Sequence, residues 1–423
     1  MTNNALPAKA VLAAILIGLL PSWMILLPLD MTSEPDGWQV FVRTNSFAVP
    51  SAQLLFVLLA MATTFSPFRS IRALPHLTKT ALLIWVIVTG YVSFQTGKDH
   101  ISASIGLFKL FVSGLFFLAL VNLRTIFGSR FLLILWGALG VGTLVYVVLW
   151  TIHIVLVSPQ GNEWVYRIPG VNNVRHTGHF AITALVAGLY TFIAFRRNKH
   201  LWLRWILPLS FSIAGLGLIL WTGSRGPLLA SAVTMFATFC IARWRKRIAT
   251  FCVVTAVAAT AVVALLPLPH EIYGIAGATG LADVSVPGVH DPSSGRTELW
   301  TGTIAKIAQK PLLGWGVDQF GASGPSLSSR PLHPHNFPLQ FLFAGGMLSA
   351  LLVLAMIFPA LRQRQWPYTK GASAASVAGV IGLLVYSLYD GVLYFSYPTM
   401  IFLVAIASST APALKQPGPG KSG

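Results

Sequence analysis

Apolar runs long enough to cross a bilayer recur along this whole chain, and no other feature constrains its fold as much. Twelve are read, at residues 10–28, 49–66, 80–95, 103–121, 131–157, 179–195, 205–222, 226–242, 250–267, 336–360, 372–389 and 396–410. A helix needs about 20 such residues to span the hydrocarbon. Backbone polar groups at that depth must be satisfied within the segment, so each run reads as a helix. Only 9% of the residues are charged, against about 25% in ordinary globular proteins, which excludes a soluble domain. The first run, Val11 to Leu27, follows a single Lys9 and meets no small-residue cleavage site, so it is expected to remain as the first span. The expected fold is all-α: one integral membrane domain over 1–423 with about twelve transmembrane helices.

The formal net charge of +18 is a topology signal. Lys and Arg collect in cytoplasmic segments. With the N-terminus inside, nineteen of the 29 basic residues fall on the inner side and all eleven acidic residues on the outer. Both termini are then cytoplasmic, and the Pro/Gly/Lys-rich stretch 411–423 reads as a disordered cytoplasmic tail. No nucleic-acid partner is needed to explain the charge. Cys240 and Cys252 flank the basic stretch ARWRKR without metal-type spacing and read as small core residues at helix ends.

One long polar interruption, 268–335, breaks the apolar pattern. It is rich in Gly, Pro, Ser, His and Asp, yet Trp300, Ile304, Ile307 and Leu312 recur at roughly helical spacing. It is expected to be a partly helical outer loop lying over an active site.

Polar groups at the outer ends of spans are informative because they are costly there unless used. Arg225, in Trp221-Thr-Gly-Ser-Arg-Gly-Pro227, reads either as a snorkelling interfacial arginine or as a phosphate contact, since an outer arginine runs against the charge bias. Arg296 opens the amphipathic stretch RTELW. It can pair with Glu298 or Asp291, or present its planar fork to phosphate oxygens. His335, in His333-Pro-His335-Asn336, lies where the loop returns to the membrane, and its imidazole suits proton transfer from a sugar hydroxyl. Asn336 can orient that histidine or the acceptor. Asp390 reads either as a helix terminator before Gly391 or as the carboxylate that holds a histidine or arginine. Arg175 and His176, with Arg167 and His179 nearby, form a second group suited to an anionic donor or acceptor. Trp164, Trp300 and Trp315 can stack on sugars or belong to an interfacial belt.

Some signatures are missing. The chain has no D-x-D, no G-x-x-x-x-G-K-[ST] and no G-x-S-x-G, and His333 and His335 have no third ligand at helical spacing. Neither metal nor cofactor is expected.

The SRG of Arg225, the RTELW of Arg296 running into AKIAQKPLLGWGVDQFG, and the HN of His335-Asn336 resemble the O-antigen ligase and polymerase superfamily. Asp390 matches the position of an aspartate found in the ligases. The resemblance implies a GT-C-like, metal-independent glycosyltransferase of the bacterial inner membrane, working on the periplasmic face. It implies transfer of O-antigen polysaccharide from undecaprenyl pyrophosphate to a lipid A–core oligosaccharide. Arg225 and Arg296 would hold the pyrophosphate, His335 would activate the acceptor hydroxyl, and the displacement would be single and inverting. An O-antigen polymerase is the nearest alternative, but the 158–178 outer segment is short for one. A lipid-linked sugar transporter, from a different class, would carry charges along the middle of several spans, where only Lys109 lies here.

Overall fold

The computed structural model describes residues 6–26, 37–157, 176–266, 268, 273–279, 296–326, 333–362 and 371–409. The tail 411–423, Arg167, Arg175, Trp164 and the 280–295 stretch around Asp291 lie outside the described residues.

Every regular element among the described residues is helical. In chain order they are α1 (Ala8–Gly18), α2 (Leu20–Leu26), α3 (Gly37–Met61), α4 (Pro67–Arg72), α5 (His76–Gln95), α6 (His100–Val157), α7 (Thr177–Phe195), α8 (Leu207–Thr222), α9 (Arg225–Ile241) and α10 (Arg245–Ala264). There follow α11 (Gly274–Thr279), α12 (Arg296–Gln309), α13 (Phe320–Ser323), α14 (Phe337–Arg362), α15 (Ser373–Ser387) and α16 (Ser396–Ser409). A π-helical turn, Trp202–Ile206, leads into α8, and a 3₁₀ turn, Val392–Tyr394, precedes α16.

Among the described residues, six helical stretches are long and apolar enough to cross a membrane, and five shorter apolar helices accompany them. Leu83, Ile87, Phe111, Val257, Leu351 and Leu354 are exposed on these helices. Such a surface suits hydrocarbon and not water. This is a multi-pass membrane protein.

At the centre lies α7, in which every residue from Thr177 to Ile193 is buried. Hydrophobic sequestration does not draw helices together in lipid, so close van der Waals approach must do so. Gly215 of α8 meets α7 that closely: a Cβ there would stand 2.4 Å from the carbonyl oxygen of Ala181. Aromatic side chains fill the remaining space, with Trp150 edge-on to Trp221 and Phe180 against Tyr146 and Tyr397.

Three local expectations need correction. The inner segment expected at 122–130 is not a loop: α6 runs through it and breaks only at Gly128, whose φ of 64° and ψ of −146° are non-helical. Burial of Leu123 and Arg124 keeps that stretch within the bundle. The outer segment expected at 29–48 is helical from Gly37 onward. Cys240 is exposed and so is not a core residue, whereas Cys252 is half-buried and packs against the core, and both thiols are free.

Candidate active site

The polar segment turns back onto the membrane helices through one backbone device. Helix α14 breaks at Gly346, at φ 62° and ψ −170°, and the Pro311-Leu-Leu-Gly-Trp-Gly316 stretch docks on the break. Trp315 N–H donates to Phe343 O (2.8 Å) and Gly316 N–H to Ala344 O (2.9 Å), while Met347 N–H and Leu348 N–H donate back to Pro311 O and Leu312 O. Carbonyls and amides freed by the kink are thereby satisfied, as burial requires. Trp315, Phe320, Phe343 and Leu299 form a small second core beneath.

The same segment is pinned on its other side by Gln319. Its Oε1 accepts from Lys98 N–H (2.8 Å) and Asp99 N–H (3.0 Å), and its Nε2 donates to Asp99 O (2.6 Å). Asp318, in the left-handed region at φ 54°, pairs with Lys109 Nζ at 3.0 Å. The one basic residue expected inside a span therefore reaches out to an acid of the loop.

At the other end of this loop stand His333, His335 and Asn336. Asn336 caps α14: its Oδ1 accepts from Leu339 N–H (3.0 Å), and its Nδ2 donates to Leu388 O (3.0 Å). His335 occupies φ 51°, a conformation that costs a non-glycine residue about 1–3 kcal/mol and persists only where surroundings impose it. That strained backbone aims its ring at Asp390, with Nδ1 3.1 Å from Asp390 Oδ1. The carboxylate also accepts from Gly391 N–H at 2.8 Å.

A carboxylate only accepts, so His335 Nδ1 carries a hydrogen toward Asp390, and in the neutral tautomer Nε2 then keeps the lone pair. His335 N–H donates to His333 Nδ1 (3.2 Å), so His333 Nδ1 is bare. Burial alone would raise the Asp390 carboxyl, but the hydrogen bond and charge of His335, then the charges of His176 and His179, hold it well below the usual carboxylate range. His333 is pushed well below the usual imidazole range by burial first, then by the positive charges of His335, His176 and Arg296. Asp390 is thus a fixed anion and His333 a neutral spacer. The His335 side chain remains 33% exposed against 10% for that of Asp390, so the histidine faces the open side of the pair.

Aromatic packing fixes the cluster. His333 stacks on Tyr394 (4.6 Å between ring centres) and lies against Phe395 and His335. A Cβ at residue 391 would come within 2.2 Å of the His333 ring, which explains the glycine after Asp390. His176, at the start of α7, is stacked with His179 and touches Phe395.

Arg296, first residue of α12, donates Nη1 to the carbonyl of Tyr389, next to Asp390. It forms no ion pair with Glu298 among the described residues. Arg225 follows the left-handed Gly223, which ends α8, and is the first residue of α9. The turn is made by Gly223 and Ser224, with Gly226 and Pro227 already inside the helix. Arg225 is exposed, and its Nε donates to Gly277 O (3.3 Å) of α11. Tyr386 links it to the histidines: a Cβ on Gly226 would stand 3.2 Å from the Tyr386 ring, which contacts His179, and Tyr386 O accepts from Asp390 N–H. Thus His335, Asn336, Asp390, Arg296 and His176 converge at one end of the bundle, Arg225 starts a helix packed beside them, and Arg175 lies outside the described residues.

Sequence reasoning missed Tyr394, Tyr386 and Gln319, and left His333 in the shadow of His335. The only signal for His333 was its i, i+2 spacing to His335.

Residues 209–354 match the family described as O-Antigen ligase. That stretch is similar to the O-antigen ligase family over about a third of the chain. The matched stretch contains Arg225, Arg296, His335 and Asn336 and stops short of Asp390, which follows α15. A Rickettsia conorii protein that bears the name of a polysaccharide ligase is 27% identical over 111 residues, an alignment covering 22% of this chain and 27% of that relative.

Proposed function

We propose that this chain is a glycosyltransferase that moves O-antigen polysaccharide from undecaprenyl pyrophosphate to a sugar of the lipid A–core oligosaccharide. The observation that carries this reading is the His335–Asp390 pair, with Arg296 fixed one residue from the carboxylate. A buried anion that holds Nδ1–H leaves Nε2 as a base and stabilises the imidazolium formed when it takes a proton.

In this reading the acceptor hydroxyl oxygen attacks the anomeric carbon, its proton passes to His335 Nε2, and the bond to the pyrophosphate oxygen breaks. Arg296 and Arg225 hold the departing pyrophosphate, whose growing charge meets cations in a partly dry site. Direct attack inverts the anomeric centre in a single displacement. Asn336 acts by fixing His335 at the head of α14, and Arg175 and His176 serve the binding of the anionic donor or the acceptor. The polar segment 268–335 is the loop over this site, and the whole chain is one GT-C-like membrane domain. Twelve spans follow from the apolar runs, and both termini in the cytoplasm with the histidine cluster on the periplasmic face of the inner membrane follow from the charge bias.

The name borne by the Rickettsia relative favours ligase over polymerase. Deletion of the gene in its own host, with lipopolysaccharide resolved on gels, tests this. Loss of the long-chain ladder with lipid-linked polymer accumulating, restored by wild type and not by Arg296→Ala or His335→Ala, is the expected result. Lipopolysaccharide capped by a single repeat would show a polymerase, and an unchanged gel would remove the protein from this pathway.

A further inference from the structure

At the opposite end of the bundle from the histidines lies a different concavity. Helix α7 begins beside His176 and ends at Phe195, and nineteen residues at 1.5 Å each carry the chain about 28 Å, close to the hydrocarbon thickness of a bilayer. Beyond that end, Arg197, Arg243, Trp244, Arg245, Lys246 and Arg247 line an open cavity of about 560 Å³. Arg196 stacks on its wall, with the guanidinium 3.9 Å from the centre of the Trp244 ring, and donates Nη1 to Ile193 O.

None of these cations forms an ion pair among the described residues. Like charges gathered without an acid repel one another, and burial followed by the charge of Arg197 lowers the Arg196 guanidinium from its ordinary range. Three of the cations also stand in the first turn of α10, whose N-cap Trp244 makes no side-chain capping bond, at the end of the helix dipole that disfavours positive charge. Topological bias explains basic residues on this face. It does not explain their convergence on one cavity.

We propose that this cavity binds an anionic phospholipid whose headgroup carries two phosphates, drawn from the leaflet opposite the histidine cluster. Five cationic side chains exceed the charge of a single phosphodiester, and arginine forks suit phosphate oxygens. The surroundings favour a lipid over a soluble anion. Leu201, Trp202 and Ile206 are exposed immediately after the Arg196–Lys199 stretch, and Trp205 packs on Phe192 and Phe251 to hold that apolar surface against α10. Acyl chains would lie along it.

Full-length protein is placed in phosphatidylcholine nanodiscs doped with cardiolipin, or with phosphatidylglycerol at equal total charge, and retained lipid is counted by native mass spectrometry. Cardiolipin is expected to stay bound and to resist competition by excess phosphatidylglycerol. Arg197→Gln/Arg243→Gln/Arg247→Gln is expected to weaken retention by about 100-fold, on the order set by three lost surface cations. Arg69→Gln/Arg72→Gln, on α4, is expected to leave it unchanged. Equal retention of the two lipids, or the same loss in both variants, would reduce the cavity to diffuse surface charge. Displacement of cardiolipin by sodium pyrophosphate at matched concentration would replace the lipid by a soluble anion. Competition on the wild type decides the matter even where the triple variant fails to fold.

Discussion

The two ends of the central bundle handle charge in opposite ways. At the histidine end each ionised group described above has a partner: Asp390 with His335, Asp318 with Lys109, and Arg296 with the Tyr389 carbonyl. At the other end five cations line a cavity and a sixth, Arg196, stacks on its wall, with no acid paired to any of them among the described residues. The first arrangement fixes side chains before any ligand arrives, which is what catalysis by positioned groups needs. The second is left incomplete, as a site that awaits a counter-charge would be. The two ends should therefore respond to mutation with different magnitudes and even different signs.

The sharpest contrast is expected in activity. His335→Ala removes the proposed base, and ligation measured with lipid-linked donor should fall by about 10²–10⁴-fold, the usual worth of a positioned acid or base. Asp390→Asn should also cost at least about 100-fold, because the amide no longer enforces the Nδ1–H tautomer. If Asp390→Asn retained wild-type rates, the pair would be a structural contact only.

Next in size are changes to how the loop is held. Lys109→Met leaves Asp318 with no ammonium in a mostly buried setting, where breaking a pair costs about 3–5 kcal/mol when fully desolvated and less at this partial exposure. The thermal midpoint should fall clearly, and Lys109→Met/Asp318→Asn should regain part of the loss. Gly346→Ala places a methyl 2.4 Å from the backbone of Leu312 and forces a left-handed φ on alanine, so a loss on the order of 1–3 kcal/mol is expected. Protease sensitivity should rise around 311–316, where the kink is docked.

These effects also show which features the sequence could reveal. Helical class, the charge bias and the candidates Arg296, His335 and Asp390 were legible because each rests on residue type and local pattern: apolar length, Lys/Arg placement, and polar groups at span ends. The pairing of His335 with Asp390 was open, since 55 residues separate them and only the packing of α14 and α15 brings them together. Gly346 looked like any glycine in a membrane helix; its kink serves PLLGWG, a partner 30 residues earlier. The helix through 122–127 was hidden for a related reason, because burial of Arg124 within the bundle overrides its polar appearance. Lys109 was visible as an oddity, but its partner Asp318 was not.

Acid should strain the histidine end selectively. His333 is held neutral by burial, so its folded pKa lies below the unfolded value of about 6.5. Stability from this group is then fully present above about pH 6.5 and is lost as pH falls toward the folded pKa. Asp390, with its carboxyl depressed, adds a loss of the same sign at lower pH, beginning near its unfolded value of about 3.9. Thermal midpoints should decline between about pH 6.5 and 5, and His333→Gln should flatten that decline while lowering the midpoint at neutral pH. A slope unchanged in the variant would place the acid sensitivity elsewhere.

The smallest effect expected is of opposite sign, and it belongs to the other end. Arg245 and Lys246 occupy the first turn of α10, where each cation meets the positive end of the helix dipole at a cost of about 0.3–1 kcal/mol at low salt, and both add to the repulsion around the cavity. In membranes of phosphatidylcholine alone, Arg245→Gln/Lys246→Gln should therefore raise the thermal midpoint slightly, or leave it unchanged at high salt, where screening removes the repulsion. With cardiolipin present the order should reverse, because the wild type gains an anion that the variant holds less well. A variant less stable than wild type in both membranes would mean that contacts such as the Arg245 Nη2 hydrogen bond to Cys240 O (3.4 Å) outweigh the repulsion, and the contrast between the two ends would then lie in the ligand chemistry of the histidine site alone.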